Sequence, residues 1–419
     1  MNMPPFDPLA NSNAEAALAR ARDDGAAEPV LIAGGGIGGL ATALALARRG
    51  VASHVLERRP AFHEEGAGIQ LGPNGTRILQ HLGVAEALRA RVGVPDALSV
   101  RDGASGAELA RMPLGEWIAA RHGAPYWVAH RKDLHAAIAD AARANPLISL
   151  SLDFPASQVA SDNARVCVAT HAGETHTGRA LIAADGVWSG LRTKLIDDAK
   201  PRFSGKSAAR SVIAREGLPE GLLRNETTIW LFPQAHVVHY PISGGAEMAI
   251  IVVLDDDRHD TDWSAPVAGD WVARNMPRCA APLEALIRCA PEWKRWSLQS
   301  LPVPAQWTRG RIALLGDAAH PVMPFFAQGA VMALEDAVVL ADALARQPGD
   351  VPAALHAYQQ MRRPRVVKVA DASRKNGEIY HLAGPMAAAR NLVLRYAPPE
   401  RLMARYDWLY GWKAEEDQA

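Results

Sequence analysis

The first sustained pattern in the chain is an unbroken apolar run, Val30 to Ala33, with no polar position to mark a solvent face. Such a run suits a central parallel strand covered on both sides. It passes through "GGGIGG" into "LATALALARRG", an Ala/Leu-rich segment that predicts a helix stopped by Gly50. "SHVLE" then predicts a second strand ending at Glu57. Two later strands also end on an acid. "RALIAADGVWSGLR" stops at Asp185-Gly186, with Ser189 and Arg192 opening a helix, and "RIALLGDAAHP" stops at Gly316-Asp317. After the latter, Pro321 and Pro324 delay the next helix.

Between these junctions the periodicity changes. "TTIWLFPQAHVVHYPISGGAEMAIIVVLD" predicts antiparallel strands with turns at Pro233-Gln234 and Ser243-Gly244-Gly245. Alternation puts His236, Val238 and Tyr240 on one face of the middle strand and His239 on the other. "LSVRDGASGAELARMPLG" predicts a hairpin joining that sheet, turning at Asp102-Gly103 and Ser105-Gly106. "YWVAHRKDL" sets His130-Arg131 before a helix opening at Asp133. From "VPAALHAYQQ" onward the chain is helical, and its Trp408, Tyr410 and Trp412 are expected to pack on the core or on a partner.

Composition narrows the function classes. The 419 residues carry 45 basic and 45 acidic side chains and no basic run, which argues against a nucleic-acid partner. Hydrophobic residues make up 49%, yet no apolar stretch has the length of a membrane span. Residues 1–28 lack an apolar signal core and are expected to form a flexible tail, leaving the protein in the cytoplasm. Cys167, Cys279 and Cys289 are too scattered for a disulfide framework or a metal site.

The strongest local chemistry is G-x-G-x-x-G at Gly34, Gly36 and Gly39, set between strand and helix and followed by a strand ending in an acid. The glycines allow a tight turn and close approach of a pyrophosphate to the helix N-terminus, and Glu57 can accept from a ribose diol. The pattern leaves NAD and FAD open; Glu57 argues against a 2′-phosphate, while Arg58 and Arg59 beside it keep that question open. No second such motif occurs, which favours a tightly held flavin served by a transient reductant.

Taken in order, the glycine fingerprint, Asp185-Gly186 and Gly316-Asp317 make the chain resemble the flavoprotein aromatic hydroxylases of the para-hydroxybenzoate hydroxylase superfamily, over about residues 29 to 375. The likeness is closest to the salicylate, 3-hydroxybenzoate and 6-hydroxynicotinate hydroxylases. It implies an α/β fold: a Rossmann-like, glutathione-reductase-type FAD domain over residues 29–97, 126–205 and 296–375. It also implies an interleaved antiparallel substrate sheet over 98–125 and 206–295, and a helical segment over 376–419. By the same resemblance Glu57 meets the adenosine ribose, with Arg58 beside it a further cofactor-binding candidate, and Arg131 reaches the pyrophosphate and ribityl region. Asp185 serves FAD and NAD(P)H, Asp317 holds the ribityl chain, and Gln70 lies in a loop beside the flavin. Gly329 and Ala330 begin a helix aimed at the ring, along which Pro321 passes. His236 and Tyr240, in the pattern H-x-x-x-Y-P, line the substrate pocket, His236 as base.

The implied reaction is hydroxylation of a small phenolic or hydroxypyridine carboxylate with NADH or NADPH and O2, through a flavin C4a-hydroperoxide. Salicylate or 6-hydroxynicotinate types would also release CO2. Some 3-hydroxybenzoate hydroxylases carry glutamine where this chain has Pro324, which turns the expectation away from that specificity. Arg111, Arg215 or Gln70 are candidates for a substrate carboxylate. Another flavin reaction on the same fold, such as epoxidation or polyketide or quinolone hydroxylation, and a non-catalytic flavin-binding protein remain alternatives. A homodimer is a further expectation.

Overall fold

The computed structural model describes residues 12–20, 28–62, 68–219, 222–257 and 265–414. Its first layer is a six-stranded sheet, in the order 308–309, 312–314, 180–183, 30–33, 53–56, 148–151. All neighbours run parallel except the edge pair Thr308–Arg309 and Ile312–Leu314. Val30–Ala33 and Ala180–Ala183 are buried at every position, which explains their unbroken apolar composition. Helix Ile37–Arg48 packs on this sheet against helix Gly329–Arg346. At Gly38 a Cβ would lie 3.0 Å from Leu315 and 3.1 Å from Ala333, so the missing side chain sets how closely these elements approach.

The second layer is an eight-stranded sheet, in the order 265–267, 293–300, 202–214, 247–255, 235–242, 226–232, 97–102, 108–113. Strand Ala97–Asp102 pairs antiparallel with Glu108–Pro113, as the hairpin pattern predicts, and parallel with Glu226–Phe232. Strand Arg202–Ala214 begins before the expected boundary at 206, and Trp293–Ser300 crosses the one at 295. The ladder between these two strands shifts register between Phe203 and Ser207 and resumes along Ser207–Arg210.

Two expectations are corrected, and a third that was left open is decided. Residues 12–20, expected within a flexible tail, form a helix that seats Ala14 against a three-stranded sheet at Gln158–Ser161, Val166–Ala169 and Thr175–Gly178. Gly68–Leu71, expected as loop, is a strand paired with Trp127–His130. The aromatic tail packs on its own core: Tyr410 covers Gly72, where a Cβ would lie 2.6 Å from the ring. Trp412 lies 5.2 Å from the Arg362 guanidinium and 5.1 Å from that of Arg365. No helix among the described residues is long and apolar enough to cross a membrane.

Helices Gly329–Arg346 and Val351–Tyr380 and the turn at Gly316 are tied by a buried ionic junction. Arg362 on helix Val351–Tyr380 donates from Nε to Asp336 at 2.7 Å and from Nη1 to Glu335 at 2.7 Å. Arg365 forks onto both oxygens of Glu335, at 2.6 and 2.8 Å. Asp336 also accepts from the Gly316 N–H at 3.0 Å and lies 2.5 Å from the His320 ring. Burial alone would raise the Asp336 carboxyl, but His320 and Arg362 outweigh it and bring it down to about 2. Arg362→Met leaves two carboxylates short of a cation in the interior, and we expect a loss of ~3–5 kcal/mol in urea denaturation. The Asp336 contribution is complete above the ordinary carboxylate pKa of about 3.9 and is lost as pH falls through about 2. The Arg362→Met penalty should therefore shrink across that acidic window.

Candidate active site

The glycine turn is tighter than any side chain permits. Gly34 has φ +121°, and a Cβ there would lie 2.3 Å from the Ala184 carbonyl oxygen. A Cβ on Gly39 would lie 1.9 Å from the Gly34 oxygen. Gly36 is the N-cap of helix Ile37–Arg48 and provides no side-chain cap, so first-turn N–H groups are left for a ligand oxygen. Glu57 ends the second strand and turns back to this turn. Its Oε2 accepts from the Gly35 N–H at 2.7 Å and its Oε1 from the Arg59 N–H at 3.0 Å. A carboxylate has further lone pairs, which suit a ribose diol.

Asp185 stands at the exit of the neighbouring strand, but its oxygens face its own helix. Oδ1 accepts from the Ser189 hydroxyl at 2.5 Å and Oδ2 from the Leu191 N–H at 3.2 Å. Burial raises its pKa, opposed by these bonds and by the nearby Arg58, which is itself exposed. The geometry gives Asp185 a turn-holding part; a pyrophosphate would meet the backbone around it.

At the third junction, Asp317 is exposed in the short turn Gly316–Ala318. Its Oδ1 lies 3.9 Å from where a Gly329 Cβ would sit, so the carboxylate borders the N-terminus of helix Gly329–Arg346. That helix begins with half-buried Gly329 and Ala330, and its N-cap Gln328 makes no side-chain cap bond. Instead the buried Gln328 accepts from Asn74 at 3.0 Å. Between lies the loop with half-buried Pro321, held where Ser373 donates to the Met323 carbonyl at 2.6 Å. Ala327 takes a left-handed φ of 50°, a strained turn immediately ahead of the helix.

The substrate sheet offers one face to this region. Cross-strand register aligns Lys206 with Asp255, Ala208 with Val253 and Arg210 with Ile251. It also aligns His236 with Val253, Val238 with Ile251 and Tyr240 with Ala249. The face is therefore an apolar floor with His236 towards one end and Arg210 and Tyr240 towards the other. Phe325 lies against His236, ring centroids 5.7 Å apart, and over Gly377, where a Cβ would lie 2.5 Å from its ring. Gln70 accepts from the Tyr126 hydroxyl at 2.6 Å and is hydrogen-bonded to Tyr240, whose pKa burial raises.

Arg210 is the cation that sequence inspection passed over. Its guanidinium lies 4.8 Å from the Trp296 ring, and its buried Nε has no hydrogen-bond partner. Burial, then the neighbouring Arg131, lowers its pKa to about 10. The available signal was a lone arginine in the otherwise small and apolar "SAARSVIA", on the parity of Ala208 and Val212. Of the other candidates for a carboxylate, Gln70 lies beside Tyr240 and the two arginines lie elsewhere. Arg111 is paired with Glu226, and Arg215 is exposed, 3.4 Å from the Gly245 carbonyl. His381 was also missed, since nothing in sequence links it to His236, 145 residues away.

Two uncapped helix N-termini, a turn without room for a Cβ and an acid at the second strand end fit FAD. Residues 27–373 match the FAD binding domain family. The chain is 39% identical over 391 residues to a 3-hydroxybenzoate 6-hydroxylase of Polaromonas naphthalenivorans (strain CJ2), covering 93% of this chain and 97% of that protein. It is 33% identical to a 3-amino-4-hydroxybenzoate 2-monooxygenase of Streptomyces cremeus, covering 91% and 94%. Among solved structures, a salicylate hydroxylase substrate complex superposes with a TM-score of 0.80 at 25% identity, covering 94% of this chain and 98% of that one. HpxO of Klebsiella pneumoniae, complexed with FAD and uric acid, gives 0.78 at 26%, covering 90% and 95%. The chain belongs to the flavoprotein aromatic hydroxylases of the para-hydroxybenzoate hydroxylase type and is an FAD-dependent monooxygenase.

Gly39→Ala places a methyl group inside contact distance of the Gly34 carbonyl. We expect the purified variant to lack the visible flavin absorbance of the parent protein while keeping its far-ultraviolet helix signal; full flavin content would show that the turn yields.

Proposed function

We propose that this protein hydroxylates a small phenol bearing a carboxylate, of the hydroxybenzoate class, with NADH or NADPH and O2 as co-substrates. The supporting observation is the sheet face on which His236 and Arg210 stand at opposite ends of an apolar floor. Their backbones are two strand spacings and two residues apart, roughly 12 Å, a gap that a flat ring and a long arginine side chain can fill. Bound at the glycine turn and Glu57, FAD would supply the reductive activation of O2 by which one oxygen atom reaches the ring and the other leaves as water.

The protein's part is binding, orientation and proton transfer. Arg210 holds the carboxylate by a charge-assisted hydrogen bond, for which its buried Nε is available. Tyr240, fixed by Gln70, forms a second polar wall beside it. His236 is kept neutral by burial and so can accept the proton of the ring hydroxyl, making the ring electron-rich. Phe325, Val253, Ala208 and Leu298 form a buried apolar cluster that keeps water from the reacting edge. The helix N-terminus at Gly329 supplies partial positive charge without a mobile side chain.

Similarity across the chain to 3-hydroxybenzoate 6-hydroxylases outweighs the departure at Pro324, which is exposed, and supports 3-hydroxybenzoate over salicylate or 6-hydroxynicotinate. The free thiols are consistent with the cytoplasm. A panel of 3-hydroxybenzoate, salicylate and 6-hydroxynicotinate, scored for NAD(P)H oxidation, hydroxylated product and CO2, tests the reading. We expect coupled product without CO2 from the first; no stimulation by any member would sink it. Arg210→Met should raise KM for a carboxylate substrate about 10–100-fold, whereas His236→Ala should lower kcat by about 100-fold or more, each with flavin content retained.

We also infer a homodimer, with the supporting surface moved from the buried aromatic tail to helix Gly384–Tyr396. There Met386, Leu392, Val393 and Tyr396 are 62, 55, 57 and 81% exposed. Sedimentation should show a dimer that Val393→Glu with Tyr396→Glu dissociates; a monomeric parent protein would overturn this.

A further inference from the structure

We propose that His381 continues the path of the substrate proton, so that His236 and His381 form a two-imidazole relay from the buried ring hydroxyl to the surface. The proposal rests on the reading of His236 as the group facing that hydroxyl. His381 caps the C-terminus of helix Val351–Tyr380, on a different element from the substrate sheet. Its Nε2 lies 2.8 Å from Nδ1 of His236, a hydrogen bond between two ring nitrogens. The other nitrogen of His381, Nδ1, lies 3.2 Å from the Lys206 ammonium and 3.7 Å from Asp255 Oδ1. Lys206 and Asp255 are themselves paired, and with Ser204, Asp256, Asp257 and Asn275 they line a hollow open to solvent.

Exposure rises along this line. His236 is 3% exposed and the His381 side chain 7%, while the side chains of Lys206 and Asp255 are 25% and 44% exposed. A base this deep has a difficulty that the relay resolves. A proton accepted by an isolated buried imidazole leaves a cation in an apolar pocket, at high desolvation cost. With two neutral imidazoles in series the proton passes through without a charge remaining on either.

The transfer balances. Before it, Nδ1–H of His236 donates to Nε2 of His381, and Nδ1–H of His381 faces Asp255. The free Nε2 of His236 accepts the phenol proton, its own Nδ1 proton moves to Nε2 of His381, and the Nδ1 proton of His381 leaves to Asp255 and solvent. Afterwards Nε2–H of His236 donates to the phenolate, Nε2–H of His381 donates to His236, and Nδ1 of His381 accepts from Lys206. One proton has left and both rings have changed tautomer. An acceptor and a donor placed together at Nδ1 serve the two states in turn, which gives the Lys206–Asp255 pair a function beyond a surface ion pair.

The charged groups around the pair favour neutral rings. Burial, then His381, then Lys206 lower the pKa of His236. Burial and Lys206 lower that of His381 to about 4, with Arg390 of helix Gly384–Tyr396 acting in the same direction and Asp255 against it. The remaining faces carry aromatic rings: Tyr380 lies 5.3 Å from His236, and Phe325 lies 6.1 Å from His381.

The test uses the FAD-loaded protein and 3-hydroxy-4-nitrobenzoate, a phenol whose ionisation is visible, mixed rapidly at a pH below the phenol's own pKa. Phenolate absorbance should appear on binding to the parent protein. In His381→Ala it should form at least tenfold more slowly at similar probe affinity, and added imidazole should restore much of the rate. An unchanged rate, or a slowed rate that imidazole does not restore, overturns the relay. If His381→Ala loses flavin, Lys206→Met with Asp255→Asn probes the outer end, where slowing of threefold or more supports the relay and an unchanged rate overturns it. Fast ionisation independent of His381 removes the relay and leaves the hydroxylase reading intact. Failure of the parent protein to bind any hydroxybenzoate removes both.

Discussion

The buried junction of Glu335 and Asp336 with Arg362, Arg365 and His320 is the constraint on which the site depends. Two adjacent carboxylates on one helix are fully enclosed; each meets an arginine of another helix, and Asp336 also meets His320 of the preceding loop. A well-packed apolar substitute can give as much stability as such a cluster. Its effect here is geometric: all four carboxylate oxygens are paired, and a shift of any of the three segments would strip a buried oxygen of its partner. Asp336 fixes Gly316 through its backbone N–H, and Asn74 ties Glu335 to Gln328 at the head of the helix. Helix Val351–Tyr380 leaves the junction and delivers Gly377 and His381 to the substrate side.

From that junction two ends of the pocket acquire different electrostatics. Arg131 and Arg210 gather positive potential at one end of the sheet face, the end proposed above for an anionic substrate group. At the other end His236 and His381 are neutral, and the path outward passes an ammonium and a carboxylate. Arg210 and His236 are thereby separated by an apolar floor, so neither group perturbs the other at close range. Sheet register produces this separation: a slip of one residue in strand Arg202–Ala214 would turn Arg210 to the opposite face.

Local patterns made much of the cofactor side legible. Gly34, Gly36 and Gly39 are forced by contacts within a few residues or with an adjacent strand, so their type and spacing carry the geometry. The same holds for Glu57, which must end a strand to meet the glycine turn. Asp185 and Asp317 were legible as strand ends but not as contacts. One carboxylate is occupied by its own helix and the other is exposed beside Gly329, choices made by side-chain rotation. The alternation of His236 and Tyr240 was readable from period two, because a strand has only two faces.

The aromatic tail, Arg210 and His381 belong to the other category. "RYDWLYGW" has no periodicity that says whether it meets a partner or its own chain; Gly72 and the two guanidinium groups beside Trp412 decided it. Arg210 is one of many arginines until the sheet turns it inward, and His381 is an ordinary helix-end residue until its helix is docked. The sequence by itself determined the parallel strands, the dinucleotide turn and the parity of the substrate strand, because each follows from steric rules acting over a few residues. Only the tertiary structure decided which arginine shares the sheet face of His236 and which histidine is bonded to it. Those relations join residues far apart in the chain, and burial gives them an energy only once the layers have closed.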